Sequence, residues 1–114
     1  MARKIIAVDF DGCLVTDRFP NIGEPIPETV AAVKAAIARG DKVILWSCRM
    51  GRNLTTAVLY CRDYLGIVFD AVNENLPEVI ARFGSDCRKI YADEYWDDKA
   101  VQVGATRAGH RALD

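Results

Sequence analysis

Histidine is nearly absent from this chain: His110 is the single one among 114 residues, and nothing around it has metal-type spacing. A zinc centre, which wants clustered Cys and His ligands, is therefore not expected. Four cysteines are present, Cys13, Cys48, Cys61 and Cys87, but no C-x-x-C pair occurs among them. That excludes a dithiol redox motif and points to a reduced compartment. An excess of either charge is missing as well, since 15 Lys and Arg stand against 16 Asp and Glu. A formal net charge of −1 gives no electrostatic footprint for nucleic acid or anionic lipid. Long apolar runs are lacking too. The run that follows the basic start Met1-Ala2-Arg3-Lys4 ends at Val8, too short for a signal peptide or a membrane span. The expectation is a soluble, cytoplasmic protein without a membrane partner.

What the chain does have is apolar residues in short, well-spaced groups. With 51% hydrophobic composition it can bury one core, so a single domain over residues 1–114 is expected. Residues 4–9 and 42–46 are compact apolar runs ended by polar groups and a glycine, as in strands buried on both faces. Between them, residues 12–27 hold three of the four prolines and two glycines, which makes a loop or small flap. Pro27 suits the first position of a helix over 27–39, with Val30, Val33 and Ile37 inward and Gly40 as the stop. Leu54, Val58, Cys61 and Leu65 give a second helix over 53–65, ended by Gly66. Residues 68–72 and 90–96 read as further strands, and 77–83 as a short helix stopped by Gly84. This alternation predicts a Rossmann-like α/β domain of three layers, a mostly parallel sheet with helices on both faces. Ligands bind such sheets beyond the carboxyl ends of the strands, so reactive residues should be sought there.

The first strand ends in Asp9-Phe10-Asp11-Gly12. Two carboxylates two positions apart share one side of a strand tip, and two adjacent anions call for a cation. Magnesium, a hard ion that keeps waters for a phosphate to replace, suits them better than a softer metal. The plain alternative is a solvated turn. A calcium loop is excluded, because its spacing needs another acid before the glycine and a later glutamate. The second strand ends in Ser47-Cys48-Arg49, which offers a hydroxyl, backbone amides and a guanidinium close to a helix start. Taken alone, Ser47 and Asn53 would more often serve local backbone groups. Lys89 precedes the last strand and Asp97-Asp98 follow it; each alone is an ordinary surface charge. Phosphoryl transfer, however, needs a nucleophile, a metal held by acids and cations for the phosphate oxygens.

Taken in order, Asp9-Phe10-Asp11-Gly12, Ser47, Lys89 and Asp97-Asp98 resemble the four motifs of the haloacid dehalogenase superfamily of phosphatases, over residues 4–101. The resemblance implies a magnesium-dependent phosphomonoesterase. Asp9 would attack phosphorus to form an aspartyl-phosphate that water then hydrolyses. Asp11 would be general acid and base, protonating the leaving oxygen and later activating the water. Ser47, with Cys48 and Arg49 beside it, would bind the phosphate, and Lys89 would balance its charge and that of Asp9. Asp97 and Asp98 would complete the magnesium site with Asp9 and Asp11, the latter through its backbone carbonyl.

Cys13 departs from the threonine usual in the first motif, and Asp93-Glu94 competes with Asp97-Asp98 for the fourth; the later pair is preferred. Gly104 and Gly109 have nucleotide-loop spacing, but His110-Arg111 replaces the required Lys-Ser/Thr, so the tail is read as plain loop. Core elements fill the intervals between the motifs, leaving no room for a cap domain. The phosphorylated substrate would then be either a macromolecule or a small molecule covered by loops or by a neighbouring subunit of a homo-oligomer. Residues 19–27, Arg49 and Trp46 are candidate contacts, although Trp46 and Trp96 suit core packing better than base stacking. Two alternatives stay open: a phosphate- and magnesium-binding regulatory protein that does not turn over, and a phosphotransferase to an acceptor other than water.

Overall fold

The computed structural model describes residues 3–104. Four parallel strands, β1 (Ile5–Val8), β2 (Lys42–Leu45), β3 (Ala71–Val72) and β4 (Glu94–Trp96), form a sheet in the order β3-β2-β1-β4. Three helices connect them: α1 (Pro27–Ala38), α2 (Gly51–Tyr60) and α3 (Pro77–Phe83). This is the small α/β Rossmann-like fold expected. No helix among the described residues is long and apolar enough to cross a membrane.

Strand alternation sorts the core into two layers. Ile6 and Val8 of β1, with Val43 and Leu45 of β2, face Val33 and Ala36 of α1 and Ala57 and Cys61 of the second helical segment. Ala7 and Ile44 face the other way, toward Val79 of α3, Leu76 and Ile90. Each fully buried aliphatic side chain contributes about 1.5–3 kcal/mol, so the central strands dominate the stability of the domain. On α1 the inward pair is Val33 and Ala36; Ile37, expected inward, is exposed. The second helix begins at Gly51 and ends in a wider π-type turn, Cys61–Leu65, closed by Gly66 at φ 74°. Helix α3 runs as expected from Pro77 to a Gly84 stop.

The two outer strands are shorter than their apolar runs suggest, for a common reason. An aspartate precedes each of β2, β3 and β4, and its carboxylate accepts a hydrogen bond from the backbone at the start of the strand beside it in the sheet. Lys4 N–H donates to Asp41 (3.1 Å), Val43 N–H to Asp70 (2.8 Å) and Ile5 N–H to Asp93 (2.7 Å). A side chain thus takes the place of a strand carbonyl, and the ladder begins at the aspartate itself, Asp70 N–H donating to the Val43 carbonyl (2.8 Å) and Asp93 N–H to the Ile5 carbonyl (2.7 Å). Residues 90–92 are held instead by buried Asn75, whose Oδ1 accepts from Tyr91 N–H (2.7 Å) and whose Nδ2 donates to Asp86 (2.8 Å). The amino end of the sheet is therefore rich in structural carboxylates. At the opposite end the order reverses about β1, with β2 on one side and β4 on the other. That reversal opens the crevice at which ligands bind in doubly wound sheets.

Candidate functional site

Because β1 and β4 are in register from Ile6 opposite Glu94 to Val8 opposite Trp96, the residues just beyond them meet. Asp9 N–H donates to the Trp96 carbonyl (2.9 Å), and the acids that follow, Asp97 and Asp98, lie beside Asp9. One carboxylate oxygen from each of Asp9, Asp97 and Asp98 falls within 4.8 Å of the others. Gly12 makes this convergence possible. Its φ is 84°, and a Cβ there would run into the Asp98 carboxylate. Cys13, half-buried, donates its thiol to the Trp96 carbonyl (3.5 Å) and so closes the β1 and β4 tips together. Burial, then the charges of Asp9, Asp97 and Asp98, push that thiol up to about 11, leaving it inert at neutral pH.

Asp9 is pushed up to about 7. Burial is the largest cause, followed among the raising influences by the charge of Asp97 and by its hydrogen bond to and the charge of Asp98; the Phe10 N–H opposes them. Three hard oxygen donors, one of which resists ionisation beside two other acids, form a set that a divalent cation fits and relieves. The residues therefore fit magnesium. Asp93 and Glu94 do not join them: Asp93 caps β1, and Glu94 pairs with Lys4 (2.7 Å) and accepts from the Trp96 indole (3.0 Å).

Asp11 takes a different place from the one its spacing suggests. Its carboxylate lies outside the acidic trio and in a two-point fork with Arg49, Nε to Oδ2 and Nη2 to Oδ1, each 2.8 Å. Arg49 is only 2% exposed. Its remaining N–H groups donate to the carbonyls of Pro20 (3.2 Å), Asn53 (3.3 Å) and Asn21 (2.9 Å). All five guanidinium donors are thus used, and the ring centroids of Phe10 and Phe19 lie 5.0 and 5.1 Å from the guanidinium carbon. Arg49, expected as a phosphate ligand, is instead the internal tie between Asp11, the flap and the start of α2.

Ser47 and Cys48 do reach the site. Ser47 Oγ accepts from Arg49 N–H (3.0 Å), which leaves its own hydroxyl proton free to donate. The loop is braced by Asn73, which sequence reasoning missed. Asn73 Oδ1 accepts from Ser47 N–H (2.8 Å) and Nδ2 donates to the Arg49 carbonyl (3.3 Å). Asn73 sits at φ 53°, a region asparagine tolerates better than most residues; an Asn directly after an apolar strand was the available signal.

Two adjoining cavities open at Asp9. One, of about 240 Å³, is lined by Asp9, Asp11, Asp17, Phe19, Cys48, Arg49 and Lys99. The other, of about 330 Å³, is lined by Asp9, Trp46, Ser47, Cys48, Asp97 and Lys99. Lys89 lines neither. It belongs to a separate apolar cavity with Val79, Phe83 and Tyr91, its ammonium 5.6 Å from the Tyr95 ring centroid. The chain around it is folded onto the Ala7 and Ile44 face by Asn75, so sequence order did not carry it to the crevice. Trp46 and Trp96 both pack against core clusters. Gly109 and His110 lie outside the described residues.

No protein-family model matches the chain, and no curated protein matches it. Among solved structures it is similar to a conserved protein from Bacteroides thetaiotaomicron, at 40% sequence identity and a TM-score of 0.77. The match covers 88% of this chain and 79% of the Bacteroides one.

Proposed function

The chain belongs to the same family as the conserved Bacteroides thetaiotaomicron protein, and from its own residues we propose that it is a magnesium-dependent phosphomonoesterase of the haloacid dehalogenase type. The observation that carries this reading is the convergence of Asp9, Asp97 and Asp98 over Gly12 at the strand-order reversal. Asp9, Asp97 and Asp98 would hold the magnesium. The ion, when bound, supplies positive charge to the phosphoryl oxygens.

The remaining steps fall to side chains. Asp9 attacks phosphorus in line with the ester oxygen, a P–O bond forms on its carboxylate, and the bond to the leaving alkoxide breaks. Asp11 gives that oxygen a proton. Water then attacks the aspartyl-phosphate, Asp11 takes its proton, and phosphate leaves with Asp9 restored. The Arg49 fork occupies one lone pair on each Asp11 oxygen and leaves the second for this exchange. The Ser47 hydroxyl donates to a phosphoryl oxygen from the wall of the larger Asp9 cavity.

A second reading, a phosphoryl-binding regulatory protein that does not turn over, has one observation in its favour: the same fork engages both oxygens of the residue that would shuttle protons. The test is phosphate release from p-nitrophenyl phosphate with magnesium or with chelator. Magnesium-dependent release that disappears in Asp9→Asn is the expected outcome. No release from the wild-type chain sinks the hydrolase, and a long-lived aspartyl-phosphate without release favours the second reading.

A further inference from the structure

A phosphate monoester brings about two negative charges into walls that already hold the carboxylates of Asp9, Asp11, Asp17 and Asp97. A divalent cation offsets part of that sum and leaves the rest uncompensated. The cavity walls contain two basic side chains, Arg49 and Lys99. Arg49 has no donor to spare, since all five of its N–H groups are bonded within the protein. Lys99 differs on each point. It is exposed, it lines both cavities at Asp9, and among the described residues its ammonium makes no ion pair. Its backbone N–H donates to Asp97 Oδ1 (3.0 Å), so the chain turns back directly after the acidic pair and returns this residue to the cavity mouth.

Resting on the phosphohydrolase reading, we propose that Lys99, in place of Lys89, is the cation that receives the phosphoryl oxygens. The turn after β4 then supplies two carboxylates for the metal and the ammonium for the substrate. A lysine suits this position, because it is a compact charge on a flexible stem with three donors and can follow the phosphoryl group from ester to aspartyl-phosphate.

The probe is orthovanadate, titrated calorimetrically into the full chain with magnesium present, alongside p-nitrophenyl phosphate turnover. Lys99→Met should bind vanadate about 10- to 100-fold more weakly than wild type, the usual effect of losing a hydrogen bond to a charged group. Lys99→Arg should recover part of that loss, and Lys89→Met should bind as wild type does. Melting of Lys99→Met should match wild type, since the residue is exposed, so a loss of binding reports the site rather than the fold. Vanadate binding within twofold of wild type in Lys99→Met, or an equal loss in Lys89→Met, overturns the assignment. The two claims separate cleanly. Lys99-dependent vanadate binding without hydrolysis upholds Lys99 and removes the hydrolase, whereas hydrolysis undiminished in Lys99→Met does the reverse. A wild-type chain that binds no vanadate overturns the assignment as well.

Discussion

Replacing Arg49 by methionine is the sharpest structural perturbation the site offers. The substitution keeps most of the side chain's length and removes a guanidinium that is 1% exposed and bonded through every donor. Two of its bonds are charge-assisted and go to Asp11; three go to the carbonyls of Pro20, Asn21 and Asn53. Removing one partner of a buried ion pair typically costs about 3–5 kcal/mol, because the other partner is left uncompensated. Asp11 retains 17% side-chain exposure and can be partly rehydrated, which favours the lower half of that range. The three carbonyls regain water, since Pro20, Asn21 and Asn53 are themselves exposed. The net expectation is a loss of about 3–4 kcal/mol, a large share of the roughly 5–15 kcal/mol that stabilises a domain. For a chain of this length that is a fall in Tm of about 10–20 °C. Urea unfolding followed by circular dichroism measures it. Arg49→Lys should lose somewhat less, since it keeps the charge but not the fork. A double-mutant cycle with Asp11→Asn isolates the pair, and a coupling energy above about 1 kcal/mol is expected. An Arg49→Met midpoint within about 0.5 kcal/mol of wild type would refute the view that this residue ties the flap to Asp11.

Asp9 makes stability depend on pH in an unusual direction. Its folded pKa of about 7 lies above its ordinary 3.8, so between those values the folded state holds the extra proton and stability falls as pH rises. At about 1.4 kcal/mol per pH unit, halved because Asp9 is only partly buried, the metal-free fold loses roughly 2 kcal/mol between pH 4 and pH 8. Wild type compared with Asp9→Asn in chelator isolates this contribution, and a difference that stays flat with pH contradicts it. Gly12→Ala should cost about 1–3 kcal/mol and weaken magnesium binding at least tenfold, because φ 84° disfavours a side chain and the new Cβ displaces Asp98; wild-type magnesium affinity by calorimetry would count against it. Asn73→Ala removes the brace on Ser47 N–H and should destabilise by about 1–3 kcal/mol while raising KM more than it lowers kcat. Unchanged thermal unfolding and kinetics would show that the Ser47 loop needs no such brace.

Much of the architecture could be read from residue pattern. β1 and β2 announce themselves because both faces are covered, which leaves uninterrupted apolar runs with polar stops. The Asp9 and Asp98 end of the site follows from the same logic, since residues after parallel strands emerge at one edge. The failures are informative in a different way. The early starts expected for β3 and β4 were wrong because Asp70 and Asp93 replace backbone acceptors with carboxylates, a substitution that hydrophobicity does not register. Order along the chain alone suggests a phosphate role for Lys89, yet buried Asn75 folds residues 86–91 against the opposite face of the sheet. Arg49 looked like a phosphate ligand because a guanidinium after a strand usually meets solvent. Only the three carbonyls converging on it from the flap and α2 reveal that it is spent internally, and two of them, Pro20 and Asn21, are distant in sequence. Lys99 is inconspicuous for the converse reason, as a lone lysine after two acids reads as a solvated charge.

The central claim is that Asp9 carries the phosphoryl group. Rapid quenching of the full chain with a phosphomonoester and magnesium, followed by borohydride reduction and peptide mass spectrometry, tests it directly. The account predicts homoserine at position 9 and at no other aspartate, absent when magnesium is chelated. Phosphate release with Asp9 left unmodified, or reduction at another aspartate, would contradict it.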